Sequence, residues 1–137
     1  MFRALDELKN WLFGLFVILL LTGGCSASQV HMDDTHSNSQ KEIVRGQTLV
    51  VTLASNPTTG YSWQVAEADK AVLRQVGDAE FKSSAPSNPP LVGAGGTETF
   101  HFETIGAGTT TLKMIYRRSW EKDVPPTKTF TAQVVVR

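Results

Sequence analysis

The chain has 137 residues, the length of one domain and too short for two sizeable cores. Its 13 Lys and Arg balance 13 Asp and Glu, so no basic excess is available to hold nucleic acid. Its one cysteine, Cys25, excludes an internal disulfide and leaves the fold to rest on an apolar core.

Residues 11–21 are almost all apolar, interrupted by Gly14. The run is shorter than the roughly 20 residues a membrane-spanning helix needs. It suits the apolar part of a secretion signal, about 7–15 residues followed by small ones. Arg3 and Lys9 precede it, and Asp6 and Glu7 dilute their charge. Leu21-Thr22-Gly23-Gly24-Cys25 resembles a bacterial lipobox, although Thr22 stands where that motif usually has leucine. In lipoproteins the cysteine is acylated and becomes the mature N-terminus. The resemblance implies a signal peptide over 1–24 and lipidation of Cys25. The protein would then be lipid-anchored in the bacterial cell envelope, facing the periplasm. Cleavage after Ala27 is the alternative and implies a secreted or soluble periplasmic protein.

Residues 26–40 are rich in Ser, Asp, His, Asn and Gln. So few large apolar side chains predict a flexible tether over 25–40, with a reach of roughly 20 Å. His31 and His36 fall in this stretch with no third ligand nearby, which predicts solvated side chains and no metal site. No cofactor is expected.

From Lys41 onward the apolar period is two. Leu49, Val51 and Leu53 alternate with Thr48, Val50 and Thr52. Tyr61, Trp63 and Val65 alternate with Ser62 and Gln64, and Phe100 and Phe102 flank His101. Leu112, Met114 and Tyr116 follow, and Phe130, Ala132, Val134 and Val136 close the chain. Such short alternating runs predict half-buried strands. Residues 71–76 read as a strand continuing toward Phe81, with a short helix as the alternative. No long amphipathic helix appears. The pattern predicts an all-β domain over 41–137, a sandwich of two antiparallel sheets. His101 should face away from the core, and Trp63 should lie in it.

Three connections stand out. In 56–60, Pro57 fixes φ and lacks an N–H, Asn56 before it is pushed from the helical region, and Gly60 accepts a positive φ. Thr58 and Thr59 add hydroxyls for backbone or partner. The connection 83–96 is long for a hairpin, and long loops in compact domains are usually functional. The third is 117–127. By contrast, 105–108 reads as a structural turn.

Taken together, Asn56-Pro57-Thr58-Thr59-Gly60-Tyr61, Gly93-Ala94-Gly95-Gly96-Thr97 and Arg118-Ser119-Trp120 resemble the three signature loops of the chagasin-type inhibitors of papain-like cysteine proteases. The resemblance covers residues 43–137. It implies an immunoglobulin-like sandwich with the loops side by side at one end, wedged into a protease cleft. Asn56, Pro57, Thr58, Thr59, Gly60, Tyr61, Gly93, Gly95, Gly96, Arg118 and Trp120 are then the contact residues. Gly93, Gly95 and Gly96 would allow close backbone approach. Arg118 would bond to the partner or stiffen its own loop. Trp120 would cover apolar surface, or fold back onto the sheet end. Tyr61 is divided between loop support and core packing. Ser119 stands in place of the family's proline. The implied partner is a papain-like cysteine protease, bound by a monomer. The mature domain offers no Ser/His/Asp or Cys/His set, which argues against an enzyme. An envelope adhesion or glycan-binding module using the same loops is the alternative.

Overall fold

The computed structural model describes residues 27–85 and 93–137. Residues 1–24, where a signal peptide is expected, and Cys25 lie outside the described residues. The first sheet runs β1 (Gln29–Asp33), β3 (Thr48–Ser55), β7 (Gly96–Thr104), β5 (Leu73–Gln75), with β6 (Glu80–Ser83) also paired to β7. The second runs β2 (Ser39–Ile43), β9 (Lys128–Val136), β8 (Gly108–Arg118), β4 (Tyr61–Glu67). The all-β sandwich expected from the alternation, immunoglobulin-like as the resemblance implies, is the architecture that forms, with one parallel pairing in each otherwise antiparallel sheet. Among the described residues the helical segments are two short 3-10 turns, Asp34–His36 and Pro57–Thr59.

Alternation builds the core. Leu49 lies opposite Phe102, and Val51 opposite Phe100, on the inner face of the first sheet. Leu112 opposite Ala132 and Met114 opposite Phe130 line the inner face of the second. Trp63 and Tyr116 complete the cluster near the loops. Each fully buried large apolar side chain contributes about 1.5–3 kcal/mol, which is how the domain holds without a disulfide. His101 points outward between the two buried phenylalanines, as its parity requires.

Two sequence expectations need correction. The stretch 25–40 is not simply a tether. β1 lies parallel to β3, with Gln29 beside Thr48 and Asp33 beside Thr52. β2 lies parallel to β9, with Ser39 beside Ala132 and Ile43 beside Val136. The two strands form an arch with one leg in each sheet. At its apex the Asp33 carboxylate accepts from the Thr35 N–H at 2.9 Å, and Asp34 accepts from the Ala54 N–H at 3.0 Å. His36 sits 2.9 Å from Asp33, capping the same turn. Met32 and Ile43, each 2% exposed, carry the arch into the core. An edge strand needs few inward apolar residues, so the average polarity of the stretch conceals its anchors. The folded unit thus includes the stretch from Gln29 and does not start at Lys41. The second correction concerns 71–81. It is two strands, not one, because the chain bends between them at Gly77, which lies at φ +67°. β5 and β6 occupy successive parts of the same edge of β7.

Register brings the three loops to one end. Ser55 pairs with Gly96, Tyr61 with Arg118, and Tyr116 with Lys128.

Candidate functional site

The first loop is a closed 3-10 turn. Pro57 opens it, and Gly60 ends it at φ +81°, donating its N–H to the Pro57 carbonyl at 3.0 Å. Only glycine takes that conformation without strain. Thr58 donates its hydroxyl to the Asn56 side-chain oxygen at 2.5 Å, and Thr59 donates to the Asn56 carbonyl at 2.6 Å. Both hydroxyls therefore serve the loop's own backbone shape. The Asn56 N–H donates to the Tyr116 hydroxyl at 2.8 Å, which fixes the loop's entry to the second sheet.

The second loop is tied to the first and to β6. The Asn56 side-chain amide donates to the Gly93 carbonyl at 3.3 Å. The Gly95 carbonyl accepts from the Ser84 N–H at 3.1 Å and from its hydroxyl at 2.6 Å. Gly96 has a structural reason of its own. A Cβ there would collide with the Lys82 carbonyl oxygen and come within 2.8 Å of the Phe81 ring. The close approach inferred for this glycine is made to its own neighbouring strand. Residues 86–92 of this connection lie outside the described residues.

The third loop leans on the first. Arg118 donates its Nε–H to the Thr59 carbonyl at 3.0 Å. Its guanidinium lies 4.6 Å from the Tyr61 ring centre and pairs with Glu121 at 3.3 Å. Of the two roles open to Arg118, the structure shows the stiffening one. Trp120 is 66% exposed, so it does not fold into the core. Its ring passes over Gly60, where a Cβ would stand 2.5 Å from Trp120 Cη2. Tyr61 does both things expected of it. It is half-buried, it stacks on Tyr116 at 5.4 Å between ring centres, and it supports Arg118.

Below the loops lies support that the motifs did not flag. Glu98 is only 8% exposed, and its carboxylate accepts from the Trp63 N–H at 3.0 Å. Trp63 lies on the free edge of β4, so this bond satisfies an amide that no strand reaches and joins the roots of the first two loops. The Trp63 indole N–H donates to the Ala54 carbonyl at 3.0 Å. Glu98 sits at a core-parity position between Phe100 and Gly96, and that parity was the signal available in the sequence. Among the described residues no cluster of His, Cys, Asp and Glu is arranged to hold a metal ion. A cavity of about 440 Å³ lies away from the loops, floored by Leu73 and Phe102.

A family model described as chagasin family peptidase inhibitor I42 matches residues 42–134. The chain belongs to the chagasin family. It is a cysteine protease inhibitor and not an enzyme. It is 30% identical to chagasin of Trypanosoma cruzi over 96 residues, covering 70% of this chain and 87% of that one. It is 27% identical to amoebiasin-2 of Entamoeba histolytica over 124 residues, covering 90% of this chain and 97% of that one. The crystal structure of a cysteine protease inhibitor from Entamoeba histolytica is similar, with a TM-score of 0.69 at 25% identity, covering 80% of this chain and 96% of that one. In this chagasin-family chain, Ser119 occupies the second position of a turn in which the Glu121 N–H donates to the Arg118 carbonyl at 3.1 Å. That is the turn position proline favours. Ser119 therefore stands at a turn position of the kind that proline also occupies.

Proposed function

We propose that the three loops enter the cleft of a papain-like cysteine protease as one preassembled edge, with 56–61 as the central wedge and 93–96 and 118–120 on its flanks. The carrying observation is that each flank is already bound to the wedge, through Asn56 to Gly93 and through Arg118 to Thr59. Loops ordered before binding lose less entropy on association. The wedge is a turn, not an extended strand, so it fills the groove without offering a peptide to the protease thiolate. Trp120 is the exposed anchor, a residue type enriched at interface hot spots. The adhesion alternative uses Trp120 and Tyr61 as stacking platforms, and the Tyr61 ring is already packed by Tyr116 and Arg118, which leaves it Trp120 alone. A titration against papain-like enzymes tests the proposal. Reversible, one-to-one inhibition by a monomer, at or below micromolar concentration and with the chain left intact, is the expected result. Cleavage within 56–61, or no inhibition, refutes it.

The inhibitor is held in the bacterial envelope by a lipid on Cys25, facing the periplasm, after removal of 1–24. The lipobox-like run supports this. The direction of β1 is compatible with it, since Gln29 lies beside Thr48, at the end of β3 far from Ser55 and the loops. At about 3.3 Å per residue, β3 separates those ends by roughly 25 Å. An anchor on that side leaves the loops free to face a protease. Mass spectrometry of the mature protein should find an acylated Cys25 at the N-terminus, and an unmodified N-terminus at Ser28 would overturn the lipid anchor.

A further inference from the structure

At the loop end the two sheets part and leave a mouth of about 380 Å³. Ser55, Asn56, Thr59, Gly96, Tyr116 and Lys128 are among the residues lining it. Strand parity explains why polar groups gather there. Ser55 continues the inward row of Leu49, Val51 and Leu53, and Lys128 precedes Phe130 on the inward row of β9. At the end of the sandwich these rows meet the mouth instead of the core.

Three donors in its lining have no acceptor among the described residues, two of them on buried side chains and the third on the exposed Lys128. Ser55 is 6% exposed, and its hydroxyl has no hydrogen-bond partner among the described residues. The Tyr116 hydroxyl accepts from the Asn56 N–H, and its own proton reaches no acceptor among the described residues. Lys128 Nζ lies 5.4 Å from the centre of the Tyr116 ring and makes no ion pair among the described residues. An unmatched buried hydroxyl is costly, and an acceptor bearing negative charge would satisfy all three groups. The surrounding charge is weakly positive. The chain is neutral overall, yet this end carries Lys82, Arg117, Arg118, Lys122 and Lys128 against Glu98, Glu121 and Asp123.

We propose that the mouth receives an Asp or Glu carboxylate from the rim of the target protease's cleft, with Lys128 as its counter-ion and Ser55 and Tyr116 as donors. The assignment rests on the inhibitor reading and makes Lys128 and Ser55 specificity-determining residues. Proteases with an acidic side chain at that point of the rim bind more tightly than those without one.

K128M and S55A test it, measured against the papain-like protease that the wild-type chain inhibits most tightly in a panel. K128M should raise Ki about tenfold and flatten its dependence on sodium chloride. S55A should raise Ki about three- to fivefold while its Tm stays level or rises, because it removes an unmatched buried hydroxyl. A purely structural Ser55 would leave Ki unchanged. Wild-type Ki in both variants overturns the carboxylate site and leaves the inhibitor reading intact. Failure of the wild-type chain to inhibit any member of the panel overturns both.

Discussion

Replacing Gly60 with alanine separates the backbone of the wedge from its flank. Gly60 lies at φ +81°. An L side chain in the left-handed region costs about 1–2 kcal/mol. The new Cβ would also stand 2.5 Å from Trp120 Cη2, so the indole must move. Because Trp120 is 66% exposed, that movement costs little folding energy. The expected loss of stability is therefore the backbone cost, a fall in Tm of roughly 5–15 °C for a domain of this size. Affinity should suffer more. A displaced Trp120 gives up a hot-spot contribution of about 2 kcal/mol, roughly a 30-fold rise in Ki. Thermal melts and inhibition titrations below both midpoints should be run on wild type, G60A, W120A and the double variant. W120A alone should weaken inhibition by more than about tenfold with Tm nearly unchanged. In the double variant the affinity losses should fall well short of additivity, since alanine at 60 acts chiefly through Trp120. Additive losses, or G60A with the wild-type Ki, would refute the interlocked edge.

Three further outcomes are expected. S119P should stabilise the domain by about 0.4–1 kcal/mol and inhibit as tightly or more tightly, since the turn at Arg118–Glu121 already suits proline. A large loss of inhibition would show that the loop follows another path on binding. M32A should cost about 2–5 kcal/mol in chemical denaturation, because Met32 is a buried anchor of the arch. A flexible tether would give no change, so a wild-type denaturation curve would contradict the arch. Hydrogen bonds from the Thr35 side chain, then from His36 and the Thr35 amide, hold the Asp33 carboxyl below its ordinary 3.8. The folded state then binds this proton more weakly than the unfolded one. The stabilisation is complete above the unfolded value and is lost as pH falls through the lowered folded one. The Thr35 amide resonance should titrate with a midpoint below 3.8, and a midpoint at or above that value would contradict the cap.

The sandwich was legible in the chain because period two over short runs has few other physical solutions. Leu49, Val51, Leu53, Phe100 and Phe102 lie on the inner face as their alternation requires. The 3-10 turn at Pro57 was legible in kind, since proline and glycine restrict the backbone locally. The arch was not. Met32 with Val30, and Ile43 with Val44, are short apolar interruptions of a polar stretch, and only the neighbouring edges of β3 and β9 give Met32 and Ile43 a core to enter.

The sequence by itself determined most strands from Thr48 onward, their inward residues and the residue chemistry of the three loops, because these depend on local geometry and residue type. Tertiary structure alone decided how the loops hold one another. Arg118 meets Thr59, Trp120 covers Gly60, and Ser55 shares a mouth with Lys128. Each of those encounters joins residues far apart in the chain. They arise from the register of two sheets packed face to face, which residue spacing along the chain does not encode.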